Sequence, residues 1–172
     1  MAELYPFRAL DDSWENFSFQ EDWQGFSLFL QKASPDELKK ISEQLRLSTK
    51  EKKNIEDSCN LWQRPDAFFA QGLGEKIQSL SRPGIFWGLQ VIEKRAGGFA
   101  TQSHDLCQKW QSLQMQLPSP FLRGEDAQSS FKGPALGEVL QRAFILQLEG
   151  VLQDRAEALA WLGQQKMTTK LD

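Results

Sequence analysis

Apolar residues recur along this chain at spacings of three and four, the period of a helix face. Leu38, Ile41 and Leu45 follow Ser34-Pro35-Asp36-Glu37, a capping box with proline at the first helical position. In that box the Ser34 hydroxyl accepts from the Glu37 N–H and the Glu37 carboxylate reaches back to the Ser34 N–H. Ser48-Thr49-Lys50-Glu51 repeats the box and opens a helix expected to run to about Leu61. Asp154-Arg155-Ala156-Glu157 repeats it again, ahead of Ala158, Leu159 and Leu162. Between these signals the pattern predicts helices over residues 23–32, 67–80, 83–96 and 101–117. Phe26, Phe29 and Leu30 fall on one side of the first. Gly97-Gly98 is expected to end the third, and Pro118-Ser119-Pro120 to halt the fourth. The stretch FKGPALGEVLQRAFILQLEG, residues 131–150, reads as one further helix whose first turn is almost bare of side chain.

Sustained two-residue alternation with β-branched enrichment is missing. The pattern therefore predicts an all-α fold, an irregular multi-helix array with a C-terminal helix pair and no significant sheet. Three segments are expected: an irregular, aromatic and acidic entry segment at 1–22, a helical body at 23–117, and a tail at 118–172 that carries the pair. Neither a solenoid period nor a low-complexity tract is evident.

Composition narrows the function classes. The 172 residues are 40% hydrophobic and 25% charged, with six Trp and twelve Phe, enough to bury a core. Trp87, Trp110 and Trp161 sit at helix positions that fit that core. A net charge of −3 excludes a broadly basic nucleic-acid coat but leaves room for a local basic patch. Cys59 and Cys107 lack CxxC spacing, and two free thiols are expected rather than one disulfide. The opening MAELYPFRALDD holds no apolar run like a secretion signal, and no run approaches membrane length, so the expected location is the cytoplasm.

Catalytic inventory is thin. His104 is the single histidine, so zinc ligation by paired histidines and a Ser-His-Asp site elsewhere are both excluded. Acidic residues come as adjacent pairs, such as Asp11-Asp12 and Glu125-Asp126, and not as the alternate Asp-x-Asp that shares cations on a strand. No residue is assigned a catalytic, metal-binding or cofactor-binding role.

Two basic features remain. Lys132, Gly133 and Ala135 open the 131–150 helix, with Arg123 in the preceding turn. Either Gly133 and Gly137 let another backbone pack closely, or the N–H groups of Ala135 and Leu136 face a phosphate, supported by Lys132 and Arg123. Lys50, Lys52 and Lys53 occupy the first turns after the Ser48 cap, where the helix dipole opposes each cation by about 0.3–1 kcal/mol at low salt. An anionic partner accounts for that placement, and so does a solvated face. Lys39, Lys40 and Arg46 extend the patch if the two capped helices pair.

Several segments carry a family resemblance. LRGEDA at 122–127, the GPALGE helix start, and QLEGVLQDRAEALAWL at 147–162 occur in an order and spacing that resemble the C-terminal end of bacterial CCA-adding tRNA nucleotidyltransferases and related poly(A) polymerases. LRLSTKEKKNI at 45–55 is similar to a segment of the same family's helical body. The resemblance covers about residues 35–165, with its specific part in the last 45 or so. The family's catalytic head, with its Gly-Ser motif and Mg²⁺-binding Asp-x-Asp, has no counterpart here, nor has its nucleotide-selecting Glu-Asp-x-x-Arg. The resemblance thus implies a body-and-tail piece, either part of a longer enzyme or a separate protein. It would hold the acceptor and T arms of a tRNA, or another structured RNA, while ATP, CTP and Mg²⁺ belong to a head outside this chain. An all-α scaffold that binds proteins and no RNA is the alternative.

Overall fold

A computed structural model describes residues 19–95 and 97–168, the last three of them by backbone alone. Within those residues the fold is all-α, as predicted. Residues 1–18 of the expected entry segment lie outside the described residues.

The capping boxes place the first helices. Helix α1 (Asp22–Phe29) turns Trp23 and Leu28 inward and leaves Phe26 and Phe29 exposed, so its inner face is not the predicted one. Helix α2 (Pro35–Gln44) starts at the Ser34 box, where the Ser34 N–H donates to Glu37 Oε2 at 2.8 Å. Helix α3 (Thr49–Gln63) starts at the Ser48 box in the same way, with 2.7 Å to Glu51.

Four predicted boundaries shift for local reasons. Residues 67–80 form two helices, α4 (Pro65–Phe69) and α5 (Leu73–Ser79), because the Gly72 N–H donates to Glu75 at 3.1 Å and starts a new helix. Helix α6 (Pro83–Lys94) is capped at Arg95, and Gly97 and Gly98 do not take the left-handed conformation of a glycine cap. Helix α7 (Ala100–Ser112) closes six residues before Pro118: Gln114 and Met115 take φ of 55° and 56°, and the Met115 N–H returns to Trp110 O at 3.0 Å. After the single turn α8 (Gly124–Ala127) come the predicted pair, α9 (Pro134–Leu148) and α10 (Arg155–Thr168). The third box is displaced: Asp154 caps the Glu157 N–H, but Glu157 reaches back to the Gln153 N–H.

Glycines decide how closely the helices approach. A Cβ on Gly84 would lie 2.2 Å from Asn54 O, and one on Gly88 would lie 2.8 Å from a Leu61 methyl. Both contacts advance in the same sense, so α3 and α6 run parallel. Ser58 Oγ lies 2.8 Å from Gly84 O, and Trp62 Nε1 donates to Gly88 O at 3.0 Å. Helices α5 and α9 run antiparallel, since Gly74 meets Ile145 and Glu149 while Gln78 bonds Gln141 at 2.7 Å.

Three apolar clusters result. One joins α1, α2, α3 and α6 around Trp23, Ile55 and Trp87. A second joins α3 to α7 around Ile77, Leu89 and Trp110, and Leu148 of α9 completes it. The third lies under the tail, around Leu122, Phe131 and Leu162, with Trp161 half-buried at its edge.

Candidate functional site

The start of α9 is built on an anchored residue followed by an open turn. Phe131 is buried in the tail cluster and its N–H donates to Ala127 O at 2.9 Å. Gly133 then takes φ 57° and ψ −137°, a combination that glycine adopts and side-chain-bearing residues avoid, and Pro134 begins the helix. Lys132, Gly133, Ala135 and Gly137 are all exposed. A Cβ on Gly133 or Gly137 would meet nothing within 4 Å, so these glycines serve no close packing. That reading is corrected; the close-packing glycines are Gly74, Gly84 and Gly88.

One detail of the phosphate reading also changes. The Leu136 N–H is taken by Gly133 O at 3.2 Å, whereas the turn has no side-chain cap and Ala135 retains a first-turn amide. Arg123 opens α8, where its backbone N–H donates to Asp126 Oδ2 at 2.7 Å and its side chain is exposed. Asp126 Oδ1 accepts from Arg155 at 2.6 Å, which ties α8 to the start of α10. Arg123 and Lys132 therefore flank one short segment whose Leu122, Ala127 and Phe131 share a cluster.

The lysines of α3 are distributed unequally. Lys50 is exposed and Lys52 half-buried. Lys53 Nζ lies 3.1 Å from Asp57 Oδ1, and Arg82 Nη1 lies 3.2 Å from the same oxygen. The Lys53–Asp57 spacing of four was legible on the helix; Arg82 was not, because it reaches Asp57 only when α6 lands on α3. Gln141 is bonded to Gln78, and the N-terminal half of α9 accordingly extends past the turn that carries Arg82.

No known family model, curated protein or solved structure matches the chain.

His104, the two cysteines and the largest cleft residues offer little further chemistry. His104 Nδ1 lies 2.7 Å from Glu93 Oε1, and its Nε2 lies 2.7 Å from the Gln108 amide. A ring protonated on Nδ1 satisfies both contacts and leaves no lone pair for a ligand. Among the described residues there is no group of three His, Cys, Asp or Glu that could hold a metal ion. Cys59 and Cys107 are buried and free, and burial pushes both thiols up to about 12. A cleft of about 440 Å³ between α1, α6 and α7 is walled by Trp23, Phe86, Trp87 and Met115. Its ionisable side chains are Glu21 and Lys94, and Glu21 accepts from Trp23 Nε1 at 2.6 Å. Among the described residues no helix is long and apolar enough to cross a membrane.

Proposed function

We propose that this chain is the tRNA-binding helical module of a tRNA nucleotidyltransferase or poly(A) polymerase-like protein. It holds the acceptor and T arms through phosphate contacts, so that a head domain outside this chain can extend the 3′ end. The observation that carries the reading is the start of α9. An uncapped, glycine-opened helix of 15 residues has open space around Gly133 and Gly137 in its first turns; exposed Lys132 directly precedes it, and exposed Arg123 opens the segment before that. Backbone amides at a helix start, joined by cations, suit a phosphate and carry no base code. Recognition of this kind reads duplex shape and backbone. The motif order across residues 122–162 supports the same assignment.

Fluorescence anisotropy with a labelled full-length tRNA at two salt concentrations tests it. Micromolar affinity that falls as salt rises is expected, and it should drop in the double variants Lys132→Glu with Arg123→Glu and Lys50→Glu with Lys52→Glu. Absence of binding at low salt would reject the RNA reading and leave the protein-scaffold alternative.

A further inference from the structure

Arg82 and Lys53 are exposed cations held on one buried carboxylate. Lys50, Lys53 and Asp57 lie on a single stripe of α3, at spacings of three and four. Asp57 is buried, with 4% of its side chain accessible, because Gly84 lets α6 close onto this part of α3. The residue just before that helix is Arg82, and its guanidinium comes to rest over the carboxylate. The side chains of Arg82 and Lys53 keep 45% and 60% of their surface accessible while sharing Asp57 Oδ1.

Stability alone does not call for this arrangement. Burying a carboxylate is costly, and one cation neutralises it; a second on the same oxygen adds repulsion between the cations. Nor is the site saturated internally. Asp57 Oδ2 and the neighbouring Asn54 Nδ2 are buried without a hydrogen-bond partner. What the arrangement does produce is two positive groups fixed side by side at the surface, with net charge +1 and Lys50 one turn away. Only Nη1 of the Arg82 fork is bonded to Asp57, so the other guanidinium N–H groups are not engaged by that carboxylate, and the side chain is 45% accessible. Cations already anchored lose less side-chain freedom on meeting a partner than unanchored ones do.

We infer that Arg82 and Lys53 form a phosphate-binding pair for the RNA backbone, and that Asp57 is its positioning residue. This inference rests on the RNA-binding reading and adds Arg82, which lies outside the sequence-derived patches.

The test is a salt titration of binding to a tRNA transcript, using the whole chain and the variants Arg82→Gln, Lys53→Gln and Asp57→Asn. Arg82→Gln leaves Asp57 paired with Lys53, so the fold is kept, as an unchanged circular dichroism spectrum would verify. Each cation variant should lower the salt slope by about one contact, which shrinks the affinity loss between 50 and 200 mM salt by roughly threefold. Asp57→Asn separates positioning from simple charge. It removes a negative group, so a bystander carboxylate predicts tighter binding, whereas a positioning carboxylate predicts weaker binding. If the unaltered chain binds no tRNA, the functional reading itself fails. Should it bind while Arg82→Gln leaves the slope unchanged, this inference fails alone. Unchanged or tighter binding by Asp57→Asn overturns the positioning role.

Discussion

Replacing Gly84 by alanine tests the contact on which the α3–α6 pair depends. The new Cβ would sit 2.2 Å from Asn54 O and 2.9 Å from Asn54 C and Cα, all of them backbone atoms that cannot rotate away. Relief requires α6 to move off α3 until the closest contact exceeds 3.0 Å, and that stretches the Ser58–Gly84 bond from 2.8 Å. Forced overpacking of this kind costs about 1–3 kcal/mol. Losing the buried hydrogen bond adds about 1 kcal/mol. The better helix propensity of alanine returns up to about 1 kcal/mol. A net loss of about 1–3 kcal/mol follows, equivalent to a fall in Tm of about 2–12 °C for a chain of this length. Urea unfolding followed by tryptophan fluorescence and by helical circular dichroism measures it. Three other glycines give the scale. Gly74→Ala meets Ile145 O at 2.5 Å and should cost a comparable amount. Gly88→Ala clashes with a Leu61 methyl at 2.8 Å, a side-chain end that can turn aside, while Ser58 Cα and Trp62 Nε1 lie at an ordinary 3.6 Å, so it should cost less. Gly137→Ala projects into open space and should stabilise by about 0.5–1 kcal/mol. A Gly84→Ala protein as stable as the parent, or a destabilised Gly137→Ala, would refute this account of the packing.

Other expectations concern acid, thiols and the tail. Hydrogen bonds from Ser34, backbone first, hold the Glu37 carboxyl below its ordinary range, and those from Ser48, hydroxyl first, do so for Glu51. A lowered folded value means stabilisation present above the unfolded carboxylate pKa and lost as pH falls through the lowered one. Glu37→Gln with Glu51→Gln should therefore flatten the acid limb of a stability–pH curve, and an unaltered limb counts against the boxes. Both cysteines should resist a thiol reagent at pH 8 in the native protein and react fully in denaturant; rapid native labelling would contradict their burial. Arg155 donates to Phe121 O at 3.0 Å as well as to Asp126, a fork that lysine cannot reproduce. Arg155→Lys should cost about 1 kcal/mol in the same urea assay, and no change there would mean the fork does not anchor α10.

Legibility in the sequence followed the range of the interactions. The boxes at Ser34 and Ser48 join residues three apart, and both were readable to the residue. The start of α9 was readable too, since Pro134 and Gly133 act within one turn. The break at Gly72 was not, because Phe69, Leu73 and Ile77 keep a spacing of four across it. Gly97-Gly98 looked like a stop signal, yet α6 ends at Arg95 without one, while Gln114 and Met115 adopt the left-handed turn that glycine usually supplies. At the candidate site, Lys50, Lys52 and Lys53 were visible as a run, but their inequality was not. The i,i+4 pairing of Lys53 with Asp57 sets it apart, and the landing of Arg82 on the same carboxylate, which no spacing announces, adds a second cation there.

The antiparallel pairing of α5 with α9 also sets an order of events while the chain is being made. Glu149 bonds Gly74 across 75 residues, and Gln141 bonds Gln78 across 63. At about 5–20 residues per second, α5 emerges from the ribosome several seconds before its partner exists. During that interval Ile77 and Leu80 wait for the cluster that Leu148 completes. A nascent chain arrested before α9 thus carries an uncovered apolar strip, the kind of surface that holdase chaperones bind.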